Sequence, residues 1–214
     1  MGVKENLKSI IGIILIGVLF IAASYAVQNN LDFFESYITD SFFSMVFYVF
    51  ILIVSAVFAP IDMIFLMPIA SAVWGWFLAA VLSLLGWTLG SSVVFVLSRK
   101  YGVPLIRKII SLKEIYRYEQ LMPKENLFLG VVFLRIAIPI DLISYAIGIF
   151  TNMKFIPYFF ATLIGFLPLA FFLAYIGTLP IYMQIIGFII FLFVVIIGLF
   201  SIKHVKKNTV KKNY

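Results

Sequence analysis

A chain of 214 residues that is 64% apolar and only 12% charged, with a mean hydropathy of +1.16, has too little polar surface to enclose a water-soluble core, which excludes a soluble enzyme. There is no cysteine, and the one histidine, His204, lies in a lysine-rich tail, so disulfides, thiolate chemistry, Cys-ligated metals and most redox cofactors are excluded as well. The net charge of +7 is read by position, because in a membrane protein the placement of Lys and Arg sets orientation.

The first element is the uncharged run 9–27, whose 19 residues are about enough for a helix rising about 1.5 Å per residue to cross a hydrocarbon core of about 30 Å. Lys4 and Lys8 precede it, and the segment after it carries Asp32, Glu35 and Asp40 without a basic residue, so the N-terminus is expected in the cytoplasm. The run 41–59 follows, then Pro60-Ile61-Asp62, and then 36 uncharged residues from 63 to 98, interrupted by Pro68 and Trp74-Gly75-Trp76. Were 41–59 and 75–98 both to cross, Arg99, Lys100, Arg107, Lys108, Lys113, Arg117 and Lys124 would lie outside, against the positive-inside rule. Residues 42–74 are therefore expected to form a re-entrant hairpin broken at Pro60, with 75–98 as the second span. Residues 104–122 set Leu105, Ile109, Leu112 and Tyr116 opposite Arg107, Lys108, Lys113 and Arg117, the pattern of an amphipathic helix on an anionic membrane surface. Residues 126–153 contain Arg135, Pro139 and Asp141 and repeat the hairpin pattern from the other side. The 48 uncharged residues 155–202 supply two spans, 155–176 and 181–202, before the basic tail 203–214. Asn152 and Gln184 are expected at the interfaces, and Gly86-x-x-x-Gly90 at a close helix contact. The fold class is thus an all-α integral membrane protein with about four transmembrane helices and two opposed re-entrant hairpins. Fifteen of its sixteen basic residues fall inside, and Arg135 lies within the membrane.

Sliding the sequence by 79 residues sets Pro60-Ile61-Asp62 on Pro139-Ile140-Asp141, and six of 27 aligned positions are identical, where this composition gives roughly two or three by chance. Each acid precedes a span running the opposite way, the signature of an inverted repeat whose broken helices meet near the midplane. A charge at bilayer depth costs on the order of 2.5–3.5 kcal/mol, so Asp62, Asp141 and Arg135 should face one another or a wet cavity. The acids are also suited to cap the half-helix after each Pro-Ile. Arg135 is suited either to neutralise Asp141 or to grip a phosphate bidentately. No histidine, cysteine or paired-acid motif lies in the spans, so an enzyme is not expected, and neither a metal nor a cofactor.

The run Phe133-Leu134-Arg135-Ile136-Ala137-Ile138-Pro139-Ile140-Asp141-Leu142-Ile143-Ser144-Tyr145-Ala146-Ile147-Gly148 resembles the hallmark of the DedA/VTT-domain superfamily, also called SNARE-associated Golgi proteins. Pro60-Ile61-Asp62, Val73-Trp74-Gly75 and Arg99-Lys100-Tyr101-Gly102 resemble the first hairpin and its exit in that family. The likeness covers about residues 42–200 and is closer to the VTT branch, because only Pro139 follows the arginine and a second arginine is absent. It implies two opposed hairpins and movement of lipids between leaflets, with Arg135 as the essential arginine and Asp62 and Asp141 as the hairpin acids. It also implies that Ser144 and Tyr145 contact the substrate, and that Pro60, Pro139 and Gly148 break the hairpins. The expected partners are membrane lipids, their anionic headgroups and further copies of the chain, and not nucleic acid. The expected location is the inner or plasma membrane with both termini cytoplasmic. A small-solute transporter and a non-transporting scaffold are the alternatives.

Overall fold

The structure, a computed structural model, describes residues 3–38, 41–58, 63–106, 126–137 and 142–190. The described residues are helical, with no strand among them. Helices α1 (Val3–Asn29) and α2 (Leu31–Tyr37) precede α3 (Phe42–Val57), whose first turn is capped by Ser41 Oγ accepting the Phe43 N–H at 3.2 Å. A 3-10 turn at Ile64–Leu66 leads into α4 (Met67–Trp74), which starts with Pro68, where its missing N–H costs nothing. Gly75, at φ 79°, then turns the chain into α5 (Trp76–Ile106), a conformation that a side chain would strain. A second break at Gly102 separates the apolar length of α5 from the residues beyond it. After α6 (Leu127–Ala137) and α7 (Leu142–Phe150) comes α8 (Phe155–Gly177), followed by an apolar helix over Ile181–Ile190, here α9.

The pattern of helix, break, short helix and long helix therefore occurs twice, and α8 begins at Phe155, 155 − 76 = 79 residues after α5. Among the described residues, Trp76–Val103 and Phe155–Gly177 are long and apolar enough to cross a membrane, while the described apolar parts of α1, α3, α6 and α9 are shorter. The two long helices pack antiparallel. Trp76 meets Tyr175 (ring centres 5.7 Å apart), Trp87 meets Phe166 (5.7 Å) and Phe95 stacks on Tyr158 (4.1 Å). Within the first half α3 runs parallel to α5, since the Tyr48 and Ser83 hydroxyls lie 2.6 Å apart and Leu52 and Ala56 press against Gly86 and Gly90. The Gly-x-x-x-Gly pair is thus a close helix contact, as expected, because a Cβ at Gly90 would lie 2.7 Å from that of Ala56.

Each short helix crosses to the other half: α7 packs on α5, and α4 packs on α8. The crossings correspond to within one residue under the 79-residue shift. Ser98 near the end of α5 abuts Gly148, and Gly177 (98 + 79) abuts Pro68 at the start of α4, with 3.0 Å from its would-be Cβ to the Pro68 Cα. Outside the repeats, α1 and α9 are clasped at the end of α8. Gln184 Nε2 donates to Ser24 Oγ (2.6 Å) and the Leu179 carbonyl (2.7 Å), and Gln28 Nε2 donates to the same carbonyl at 3.0 Å. Gln184 is fully buried within the protein there, because carbonyls at a helix end need donors that the apolar core does not supply. Asn152 is exposed.

Candidate functional site

Arg135 occupies the last turn of α6, where a cation complements the carbonyl end of the helix. Its side chain has no solvent exposure. Nη2 donates to Ser144 Oγ of α7 at 2.5 Å and to Tyr158 Oη of α8 at 3.0 Å, and Cζ stands 4.6 Å from the centre of the Phe166 ring. Tyr158 passes the connection on to α5 by donating to the Ser91 carbonyl at 3.1 Å. One guanidinium thereby joins three helices directly and a fourth through a phenol. Glycine makes the room, since a Cβ at Gly165 would come 2.5 Å from the Arg135 Cβ. A guanidinium does not shed its proton, and removing it from water costs several kcal/mol, so its hydroxyl and ring partners are what keep it tolerable in an apolar core. A cation facing an aromatic ring in such surroundings recovers on the order of 2 kcal/mol.

The expected site residues divide in place. Ser144 is with Arg135. Tyr145, one residue on, is equally buried but donates its hydroxyl to the Val57 carbonyl at the end of α3, 2.5 Å away, bracing the two halves against each other. Gly148 corrects the expectation of a hairpin break: it lies inside α7, and its missing side chain admits Ser98, whose Oγ and Cβ would clash with any Cβ at that position. Asp62, Asp141, Pro60 and Pro139 lie outside the described residues, as do Arg107, Lys108, Lys113 and Arg117.

Sequence reasoning counted Arg99 as a charge that sets orientation and as part of the Arg99-Lys100-Tyr101-Gly102 exit, and missed what its side chain holds. It fastens the far end of α7: Nε donates to the Gly148 carbonyl (3.2 Å), Nη2 to the Thr151 carbonyl (2.5 Å) and Nη1 to the Met153 carbonyl. The planar fork suits three carbonyls at a helix end, where the dipole also favours a cation. Its Cζ lies 4.5 Å from the centre of the Phe95 ring, which stacks on Tyr158, so the two arginines are joined by a short ladder of rings as well as by α7. The sequence signals were an arginine at the end of a long apolar run, which any positive-inside flank shares, and the Arg99-Lys100-Tyr101-Gly102 likeness, and neither points to the carbonyls it holds.

A model of the VTT domain matches residues 59–179, from the break after α3 to the turn after α8, so the matched length holds the Arg135 network, the Arg99 clamp and both crossings. Comparison with curated proteins and with solved structures finds no match. With its two long apolar helices the chain is a membrane protein, and it belongs to the VTT-domain family, within the DedA/VTT superfamily.

Proposed function

We propose that this protein moves the phosphate-bearing headgroup of a membrane lipid between leaflets, through the polar core between its two halves, while the acyl chains stay in the bilayer. The observation that carries the reading is Arg135, a permanent cation with no solvent exposure, held from α7 and α8 at the junction of the repeats. A fixed charge at such depth marks a solute pathway by default, and a guanidinium is the side chain best matched to phosphate oxygens. In this reading α3 with α4, and α6 with α7, are opposed re-entrant hairpins. Helices α1, α5, α8 and α9 belong to the four spans, both termini are cytoplasmic, and the membrane is the inner or plasma membrane. Asp62 and Asp141 are assigned to the same path as its acids, and the basic residues of 104–122 to anionic lipid, all of them outside the described residues. The protein acts as a carrier, without a cofactor and without chemistry on the lipid.

The test is dithionite quenching of fluorescent phospholipid in proteoliposomes. Wild type is expected to expose inner-leaflet probe to the quencher, whereas Arg135→Ala, shown monodisperse by size exclusion, leaves it protected. Quenching by Arg135→Ala at the wild-type rate overturns the role given to this side chain.

A further inference from the structure

A hydroxyl buried in an apolar helix ordinarily donates to the carbonyl of the preceding turn. Ser55, Ser92 and Ser98 do so, to the carbonyls of Leu52, Thr88 and Phe95 at 2.9, 2.7 and 2.9 Å. Thr88 and Thr162 depart from this habit: at 1% and 0% exposure, neither Oγ1 has a hydrogen-bond partner among the described residues. Such a hydroxyl bears the full cost of leaving water with nothing in return.

Both border the layer that Arg135 occupies. On α8, Thr162 is one turn from Tyr158 and one turn from Phe166, the residues that hold the guanidinium, and three residues from Gly165, against which the arginine stem rests. On α5, Thr88 falls between Trp87, which meets Phe166, and Ser91, whose carbonyl receives Tyr158. Antiparallel packing of α5 and α8 sets Thr162 level with Ser91 and Thr88 level with Gly165, so the two threonines stand about 4.5 Å apart along the seam, one on each side of the Arg135 layer. Ser71 Oγ and Trp74 Nε1 also lack partners, but they belong to α4, away from this layer.

We infer that Thr88 and Thr162 are hydroxyl donors to the oxyanion that Arg135 holds, so that a phosphate is received in the α5–α8 seam by one guanidinium and two O–H groups. The assignment rests on the carrier function proposed above and adds the residues that would distinguish a tetrahedral oxyanion from a bare point charge. Phosphate esters of lipids and free inorganic phosphate share this chemistry.

Valine has the shape of threonine without the hydroxyl, so the variants separate folding from function. Wild type, Thr88→Val, Thr162→Val, the double variant and Arg135→Gln are reconstituted in phosphatidylcholine–phosphatidylglycerol vesicles. Movement of fluorescent phosphatidylglycerol and uptake of radiolabelled inorganic phosphate are both followed. Each valine variant should unfold in denaturant at the same midpoint as wild type or higher, yet move its substrate about tenfold more slowly, as expected for a lost hydrogen bond to a charged group. Thr162→Ser should restore the rate. Loss in the lipid arm alone assigns the oxyanion to a headgroup, and loss in the phosphate arm assigns it to the free anion. A double valine variant at the wild-type rate beside an inactive Arg135→Gln overturns this assignment and leaves the carrier function standing. A valine variant that loses stability in step with rate overturns it too, by making the hydroxyls part of the packing. An Arg135→Gln at the wild-type rate, or a wild type that moves neither probe, overturns the function and this assignment with it.

Discussion

Replacing Arg99 by Gln removes the clamp on the far end of α7 while keeping a polar side chain of similar reach. Three carbonyls then lose a charged donor, and two of them belong to the buried residues Gly148 and Met153. A hydrogen bond to a charged group is worth about 1.5–3 kcal/mol, but Arg99 is partly exposed and its bonds share one fork, so the loss for all three together is set at about that of one strong bond. Because the bonds end on one short helix, the loss falls on local opening of α7 rather than on the whole bundle. Hydrogen exchange read by mass spectrometry should show amides in 142–153 exchanging about 10- to 150-fold faster, with α1 and the first half of α5 unchanged. Arg99→Lys, with one ammonium in place of a fork, should fall between the two. Unchanged protection of α7 in Arg99→Gln refutes the clamp, and equal acceleration in every helix refutes its local character.

Two other perturbations have outcomes fixed by the packing. Gly148→Ala places a Cβ against Ser98 and 2.8 Å from the Phe95 carbonyl, so it should destabilise by about 1–3 kcal/mol in a denaturant titration, and Ser98→Gly in the same chain should recover part of the loss. Gln184→Leu removes the buried donor for Ser24 and the Leu179 carbonyl, and should cost about 1–3 kcal/mol and raise proteolysis between α8 and α9, with exchange in the Arg135 layer unaltered.

What could be read in advance was set by composition and period. Long apolar runs specify helices, Pro68 and Gly75 punctuate the first half where they stand in the sequence, and Gly86 and Gly90 announce a close contact because only small residues admit one. Arg135 was legible because a lone charge in an apolar run must be held by something. Its partners were only partly so. Ser144 lies within the quoted motif, but Tyr158 is one of many aromatic residues, and no local pattern separates the phenol that bonds an arginine from those that face lipid. Arg99 and Gln184 act on backbone carbonyls, which every residue carries, so their targets leave no trace in side-chain identity. Gly148 misled for a related reason: a glycine that frees the backbone and one that yields space look alike until the neighbouring helix is in place.

The 79-residue correspondence pairs Arg135 with Ala56, Tyr158 with Ala79 and Ser144 with Phe65, so the second half bears a charged network where the first is filled by methyls and a ring. In a carrier whose halves exchange conformations to open first to one side and then to the other, matched halves would make the two openings equal in free energy. For the carrier proposed above that balance would be broken within a single chain, because among the described residues the position equivalent to Arg135 is Ala56, which carries no charge. Its two openings would then differ in free energy even before any gradient is applied, and which half kept the arginine would decide which side is the resting one.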